Sequence, residues 1–293
     1  MSRSNDPPFS VVIPAYNEEA VIGRCLAALL ADAPAGREPE IIVACNGCSD
    51  ATAARARQAA PNATVIEIAQ GSKPLALNMG NAAASTMPRF FVDADVVVSY
   101  HALLATAAAL RECGVMVAAP AIAVDMHDTD AAVRAYYKVW LGQPYVSDGM
   151  VGSGVYGLSA EGLATVGVFP SIIADDGYVR TRFAPAARRR VSADHQGVPI
   201  YFTIFPPRTL GDLLRIEGRR RAGDAELADA FPTPQVARST SSGTLRRTIG
   251  NGTTVVDITI YLAIKSIGRL RHRWNARTGR NRVWHRDESS RQA

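Results

Sequence analysis

Four short apolar runs, Phe9–Pro14, Glu40–Ala44, Thr64–Ile68 and Arg89–Val92, alternate with three stretches of helical character, Glu18–Ala31, Asp50–Ala60 and Lys73–Ser85. The runs are rich in Val, Ile and Phe, and Pro61 stops the Ala-rich middle helix, so each break has a local cause. Strand and helix in alternation imply parallel pairing, because the crossover needed to bring a strand back in the same direction is itself a helix. Parallel sheets bury both faces, which accounts for strands that are apolar throughout. The expectation is therefore an α/β chain whose first half is a Rossmann-like, mostly parallel sheet flanked by helices. All strand C-termini then share one edge, the edge at which open α/β sheets bind their ligands.

Downstream, a helix is expected from about Tyr100 to Glu112, a strand from Gly114 to Ala119 and an amphipathic helix from about Thr129 to Leu141. The pattern then loosens around Gly149–Leu158 and Val198–Phe205, which suggests a mixed second half. An apolar fraction of 47% and a charged fraction of 20% exclude wholesale disorder. No apolar run approaches the roughly 18 residues that span a bilayer, and Met1–Pro8 lacks a secretory pattern, so a cytoplasmic protein is expected. The four cysteines, Cys25, Cys45, Cys48 and Cys113, are scattered and do not form a disulfide framework.

The net charge of +5 comes from the tail, where nine basic residues from Lys265 to Arg291 face only Asp287 and Glu288. Upstream of them, Val255, Val256, Ile258, Ile260, Leu262, Ile264 and Ile267 mix with Tyr261, and Trp274 follows. Two readings stay open for this segment: an amphipathic helix on an anionic membrane surface at the inner face of the cytoplasmic membrane, or a terminal helix docked on the protein's own core. An Arg-rich tail without a recognition motif does not point to nucleic acid.

The chemistry-bearing residues cluster at the predicted strand ends. Pro14-Ala15-Tyr16-Asn17-Glu18-Glu19 follows the first strand and Asn46-Gly47-Cys48-Ser49-Asp50 the second. Lys73 opens the third helix, and Asp93-Ala94-Asp95 follows the fourth strand. Together they provide an aromatic for a base to stack on, polar groups for base edges, a cation for a diphosphate, and acids for ribose and a metal. Two carboxylates one residue apart repel each other unless a cation joins them, and hard divalent ions prefer oxygen ligands. An acid-x-acid triplet alone is more often a solvated turn; its meaning comes from its neighbours on the same edge.

In this combination the chain resembles the family 2 inverting glycosyltransferases of bacterial type, with the GT-A fold, from about Phe9 to Arg221. The resemblance implies that the Val11–Glu19 signature holds the nucleotide through Pro14, Ala15, Tyr16 and Glu18. It places Asn46 at the base's imino edge, Lys73 near the diphosphate, Asp93 and Ala94 near ribose, and makes Asp95 the metal ligand, for Mn2+ or Mg2+. Asn46 and Cys45 replace the acids that the family often carries. Asp175-Asp176 resembles the family's acidic pair, with Asp176 as catalytic base and Asp175 as the alternative; two adjacent acids also suit an ordinary helix start. Gly152, Ser153 and Gly154 would border the transferred sugar or the acceptor, and Arg219 or Arg220 would meet a diphosphate. Ile216 and Arg220 stand where processive members carry Gln and Trp, which implies one sugar per acceptor.

The implied activity is metal-dependent, inverting transfer from a nucleoside-diphosphate sugar, a UDP-sugar, to a glycan or lipid-linked acceptor, as in cell-envelope or exopolysaccharide synthesis. The implied division is a transferase domain over 1–222, with a nucleotide-sugar half (1–98) and an acceptor half (99–222), then a linker (223–251) and a basic amphipathic segment (252–293). Two rivals arise from the residues themselves. Gly152, Gly154 and Gly157 fit the glycine spacing of an NAD-dependent oxidoreductase, and Cys45/Cys48 fit a thioredoxin-like dithiol.

Overall fold

The computed structural model of the protein describes residues 8–143, 146, 152–233 and 252–277. Its first half follows the expected alternation: β1 (Ser10–Ala15), α1 (Ile22–Leu30), β2 (Glu40–Asn46), α2 (Thr52–Ala59), β3 (Thr64–Ile68), α3 (Lys73–Ala83) and β4 (Arg89–Val92). The strands stand in the order β3, β2, β1, β4 and pair in parallel. Alternate side chains serve opposite faces, as the pleat requires. Val11, Ile13, Phe90 and Val92 pack with Ile22, Cys25, Leu26 and Leu29 of α1, whose spacing forms one helical stripe. Val12 and Phe91 pack on the other face with Leu77 of α3. A Cβ at Gly80 would stand 2.5 Å from Val12 Cγ1, so only glycine lets α3 lie this close to β1.

The second half comprises β5 (Val97–Val98), α4 (Tyr100–Ala109), β6 (Val117–Val124), α5 (Ala131–Leu141), β7 (Val155–Leu158), α6 (Ala160–Val166), α7 (Asp175–Arg182), β8 (Arg188–Val191), β9 (Tyr201–Ile204), α8 (Leu210–Ala230) and α9 (Val255–Arg277). β7 runs antiparallel between β4 and β6 and so joins the two halves into one sheet. β6 pairs in parallel with both β8 and β9, and β9 pairs antiparallel with β5. The mixed character expected after residue 99 is thus located at β7 and at the β9–β5 pair.

Several boundaries differ from expectation for identifiable reasons. The first helix starts at Ile22 rather than Glu18, because Glu18 and Glu19 bind the neighbouring loop: Thr52 Oγ1 accepts from Glu18 N at 2.7 Å, and Glu19 Oε2 accepts from Ala51 N at 2.9 Å. The strand expected at Gly114–Ala119 instead runs from Val117 to Val124, extended by its pairing with β9. α8 continues to Ala230, so a linker cannot begin at 223 as expected; residues 234–251 and 278–293 lie outside the described residues.

α9 docks on α5 and α8. Ile258, Tyr261 and Ile264 are buried, and the Tyr136 and Tyr261 rings lie 5.1 Å apart. Glu217 of α8, 1% exposed, accepts from Tyr136 Oη at 2.6 Å and pairs with Lys265 Nζ at 2.8 Å. Of the two readings for this segment, the docked helix is the one observed for residues 255–277. No helix among the described residues is long and apolar enough to cross a membrane.

Candidate active site

The parallel strands deliver their following loops to one edge, where those loops bind one another. Asn17, held at φ 53°, accepts from Ser49 N at 2.8 Å, and Asp50 Oδ2 accepts from Glu19 N at 3.2 Å. Tyr16 lies beside Gly71, whose added Cβ would sit 3.4 Å from the ring. Pro14 and Ala15 are the last residues of β1.

Asn46, expected to read a base edge, is buried and hydrogen-bonded to neighbouring elements. It is 3% exposed; its Nδ2 donates to Ala15 O at 2.8 Å and its Oδ1 accepts from Ser72 N at 2.9 Å. Its amide is thereby occupied in tying the ends of β1 and β2 to the start of α3. The amide stands at the strand-end edge, where the resemblance expects a base to be read.

α3 begins at the capping residue Ser72, with Pro74 in its first turn, which fixes Lys73 at the helix start. Lys73 Nζ reaches Asp93 Oδ1 at 2.9 Å and Asp175 Oδ2 at 3.2 Å. Residues 73, 93 and 175, far apart in sequence, therefore form one charge cluster. Burial works against the ammonium, but Asp175 and then Asp93 outweigh it and hold the lysine above its ordinary range. Burial also lifts Asp93 against the pull of Lys73, and Asp95 pushes it in the same direction. Ala94 between them is buried.

The acidic pair opens α7, and its two members have different surroundings. Asp175 is buried and is raised to about 6, by burial first, with Lys73 opposing and Asp176 and Asp93 adding to the rise. Asp176 is half-buried. Its Oδ2 accepts from Ser153 N at 3.1 Å and its Oδ1 from Gly177 N at 2.7 Å. Burial raises it, but Lys73, the Ser153 N–H, Arg180 and the Gly177 N–H together bring it below the usual carboxylate range.

The Gly152-Ser153-Gly154 loop therefore does border the acidic pair. Gly152 has φ +109°, and a Cβ there would meet Asp176 Oδ2 at 2.7 Å. Gly154 O accepts from Asp93 N at 2.8 Å, so the loop spans from Asp176 to Asp93. Arg219 and Arg220 stand further along α8, with Arg220 Nη1 3.4 Å from the buried Glu217. That turns Arg220 toward the α5–α8–α9 packing.

Two residues were missed by sequence reasoning. Tyr156, 4% exposed, has a buried hydroxyl without a hydrogen-bond partner among the described residues, and burial followed by Asp175, Asp176 and Asp93 lifts it well above an ordinary tyrosine. Arg180 follows Asp176 by one helical turn and supplies positive charge to it. The i, i+4 spacing of Asp176 and Arg180 was a readable signal; nothing local marks Tyr156, which enters the site through β4–β7 pairing.

The two rival chemistries do not fit. Gly157 lies within antiparallel β7 rather than in a turn between a parallel strand and a helix, so the dinucleotide fingerprint lacks its frame. Cys45 is buried, and its thiol is pushed up to about 12 by burial and then by Cys48, the opposite of an activated thiol.

Comparison with known proteins agrees with this geometry. Residues 10–148 match the model of Glycosyl transferase family 2. No curated protein matches the chain significantly in sequence. A solved mannosyltransferase from Pyrobaculum calidifontis, in complex with GDP-Man and Mn2+, aligns at TM-score 0.62 and 17% identity, over 92% of this chain and 88% of that one. Glucosyl-3-phosphoglycerate synthase from Mycobacterium tuberculosis, in complex with phosphoglyceric acid, aligns at TM-score 0.55 and 21% identity, over 77% and 81% of the two chains. The same enzyme with Mn2+, UDP-Glc and phosphoglyceric acid aligns at TM-score 0.54 and 20% identity, with the same coverage. At these identities the likeness is one of fold, and that fold is GT-A.

Proposed function

For a glycosyltransferase whose residues 10–148 form a family 2 domain within a GT-A fold, we propose metal-dependent, inverting transfer of one sugar from a UDP-sugar to the hydroxyl of a glycan or lipid-linked acceptor. The observation that carries this reading is the Lys73 cluster: one ammonium held between Asp93, beside the DAD turn, and Asp175, beside the candidate base. A donor diphosphate would take Lys73 as its counter-ion and so connect the nucleotide side of the cleft to the acidic pair.

The metal fits the donor set. The charge of Asp95 disfavours that of Asp93, which a cation would relieve. Among the described residues no group of three or more His, Cys, Asp or Glu could cage a metal. The chain would thus contribute one or two carboxylates, Asp95 first, leaving the other positions to diphosphate oxygens and water, the usual arrangement for Mg2+ at phosphates. When bound, Mn2+ or Mg2+ neutralises charge developing on the leaving diphosphate. The neighbours' complexes with GDP-Man and Mn2+, and with UDP-Glc and Mn2+, support a nucleotide-sugar donor with a divalent ion.

In the transfer step the acceptor oxygen attacks the anomeric carbon, the bond from that carbon to the diphosphate oxygen breaks on the opposite face, and the acceptor proton passes to Asp176. The Ser153 and Gly177 N–H groups orient that carboxylate, and the lack of a Cβ at Gly152 lets the loop lie directly against it. Before donor binding these contacts and Lys73 hold Asp176 low. A diphosphate that draws off Lys73 and adds negative charge raises its basicity at the moment of reaction.

Calorimetric titration of UDP and GDP with and without Mn2+, followed by hydrolysis of a panel of nucleotide sugars, tests the proposal. Binding that needs the ion and fails in Asp95→Ala, with transfer at least about a hundredfold lower in Asp176→Asn but donor affinity retained, is the expected result. Undiminished UDP binding by Asp95→Ala, or normal turnover by Asp176→Asn, would remove the role concerned.

A further inference from the structure

α9 has two apolar faces, and its docking on α5 and α8 uses only one. Asp257, Ile258, Tyr261, Ile264 and Gly268 line the buried face. Val255, Val256, Leu262, Ile267, Leu270 and Trp274 are exposed, Val255 by 78%, Leu270 by 65% and Trp274 by 66%. At about 100° per residue these six fall within an arc of roughly 140° on the opposite side of the helix. Thr259, Ala263 and Ser266 fill that arc, so it carries no charge from Val255 to Leu270, and Arg273 and Arg277 fall on the same side at the C-terminal end of the helix. Just outside its two edges stand Arg269 and Arg271, both exposed, and the helix's one acid, Asp257, is on the buried face.

We infer that this outer face of α9 is a docking surface for an anionic lipid bilayer, with the six apolar side chains entering the headgroup–acyl boundary and Arg269 and Arg271 meeting lipid phosphates on either side. An apolar stripe with basic margins and an aromatic near one end is the chemistry of an in-plane membrane helix. A protein surface seldom leaves such a stripe uncovered without a partner for it.

Charge selects this occupant over the alternatives. A second copy of the chain, stripe against stripe, would bring the arginines of both copies together. The chain's own segments outside the described residues carry Arg238, Arg246 and Arg247, or Arg280, Arg282, Arg286 and Arg291, the same sign as the margins. An anionic bilayer supplies both the apolar depth and the opposite charge. The inner face of α9 holds this surface to the transferase domain through the Lys265–Glu217 pair, so the docked protein would be anchored through an ordered element rather than a tether. The inference is independent of the transfer chemistry proposed above.

The test is co-sedimentation of the full chain with vesicles of phosphatidylcholine alone and with added phosphatidylglycerol. Expected are binding to the anionic vesicles that weakens with salt, and a loss of at least about tenfold in partitioning for both Leu262→Glu/Leu270→Glu and Arg269→Glu/Arg271→Glu, at unchanged thermal midpoint and unchanged UDP binding. Absence of binding, or variants that sediment like the parent chain, would overturn it. So would a concentration-dependent dimer in sedimentation velocity that the leucine variant abolishes, since a second copy would then cover the stripe.

Discussion

Asp175 and Asp176 are neighbours in the chain with opposite electrostatic settings. Asp175 turns into the protein beside Lys73 and is raised to about 6, while Asp176 turns to two backbone N–H groups and falls below the usual range. As pH drops through about 6, Asp175 takes up a proton and Lys73 loses one of its two anionic partners. The transfer rate of the protein should therefore fall on the acid side with a midpoint near pH 6. In Asp175→Asn that limb should disappear and leave a lower one governed by Asp176. A pH–rate profile of kcat/KM for the two proteins checks this, and an unchanged limb would dissociate it from Asp175. Sequence placed these residues together but not their division of labour, because neighbours on a helix's first turn point in different directions. The same applies to Asn46: its position at a strand end was legible, whereas its use as a buried strut depends on the Ser72 N–H from another element.

At the scale of elements, the polar tie among α5, α8 and α9 is the point at which a buried charge is most exposed to disruption. Glu217 is lowered to about 2: burial opposes its ionisation, but Lys265, Arg220 and the Tyr136 hydroxyl prevail. A carboxylate with a depressed folded value stabilises the fold above its unfolded value, near 4.5, and loses that contribution as pH falls toward 2. The shift corresponds to about 3 kcal/mol at neutral pH as an upper figure, because the buried ammonium of Lys265 is itself pushed down by desolvation. Lys265→Met should cost about 3 kcal/mol in urea unfolding at pH 7, since it leaves a buried carboxylate without its main counter-charge. The penalty should shrink at pH 3, where Glu217, once deprived of Lys265, takes up a proton and no longer stands as an uncompensated buried charge. A loss that is the same at both pH values would assign the effect to packing. The apolar helix α9 was readable from the sequence, but which of its faces docks and on what was not, because Tyr136, Glu217 and Lys265 are separated by dozens of residues.

For the whole molecule, α9 closes the apolar side of α5, so residues 255–277 serve the fold. A chain ending at Asn251 should unfold at a lower temperature and self-associate, through uncovering the hydrophobic cluster of Tyr136, Tyr137 and Trp140. Calorimetry and light scattering of the truncated chain check this; an unchanged midpoint would show that α9 adds nothing to the core. At this scale the sequence by itself determined that β1 to β4 form a parallel half and set the edge on which Tyr16, Lys73 and the DAD turn stand, while the order β3-β2-β1-β4 came from the structure. Those depend on local periodicity and on the geometric rule that crossover helices impose parallel strands. Only the tertiary structure decided that β7 inserts antiparallel beside β4, carrying Tyr156 and the Gly152–Gly154 loop up to Asp93 and Asp176. It also decided that Lys73 is shared between Asp93 and Asp175. Those contacts join residues 20 to 102 positions apart, and their formation depends on long-range packing that no local pattern encodes.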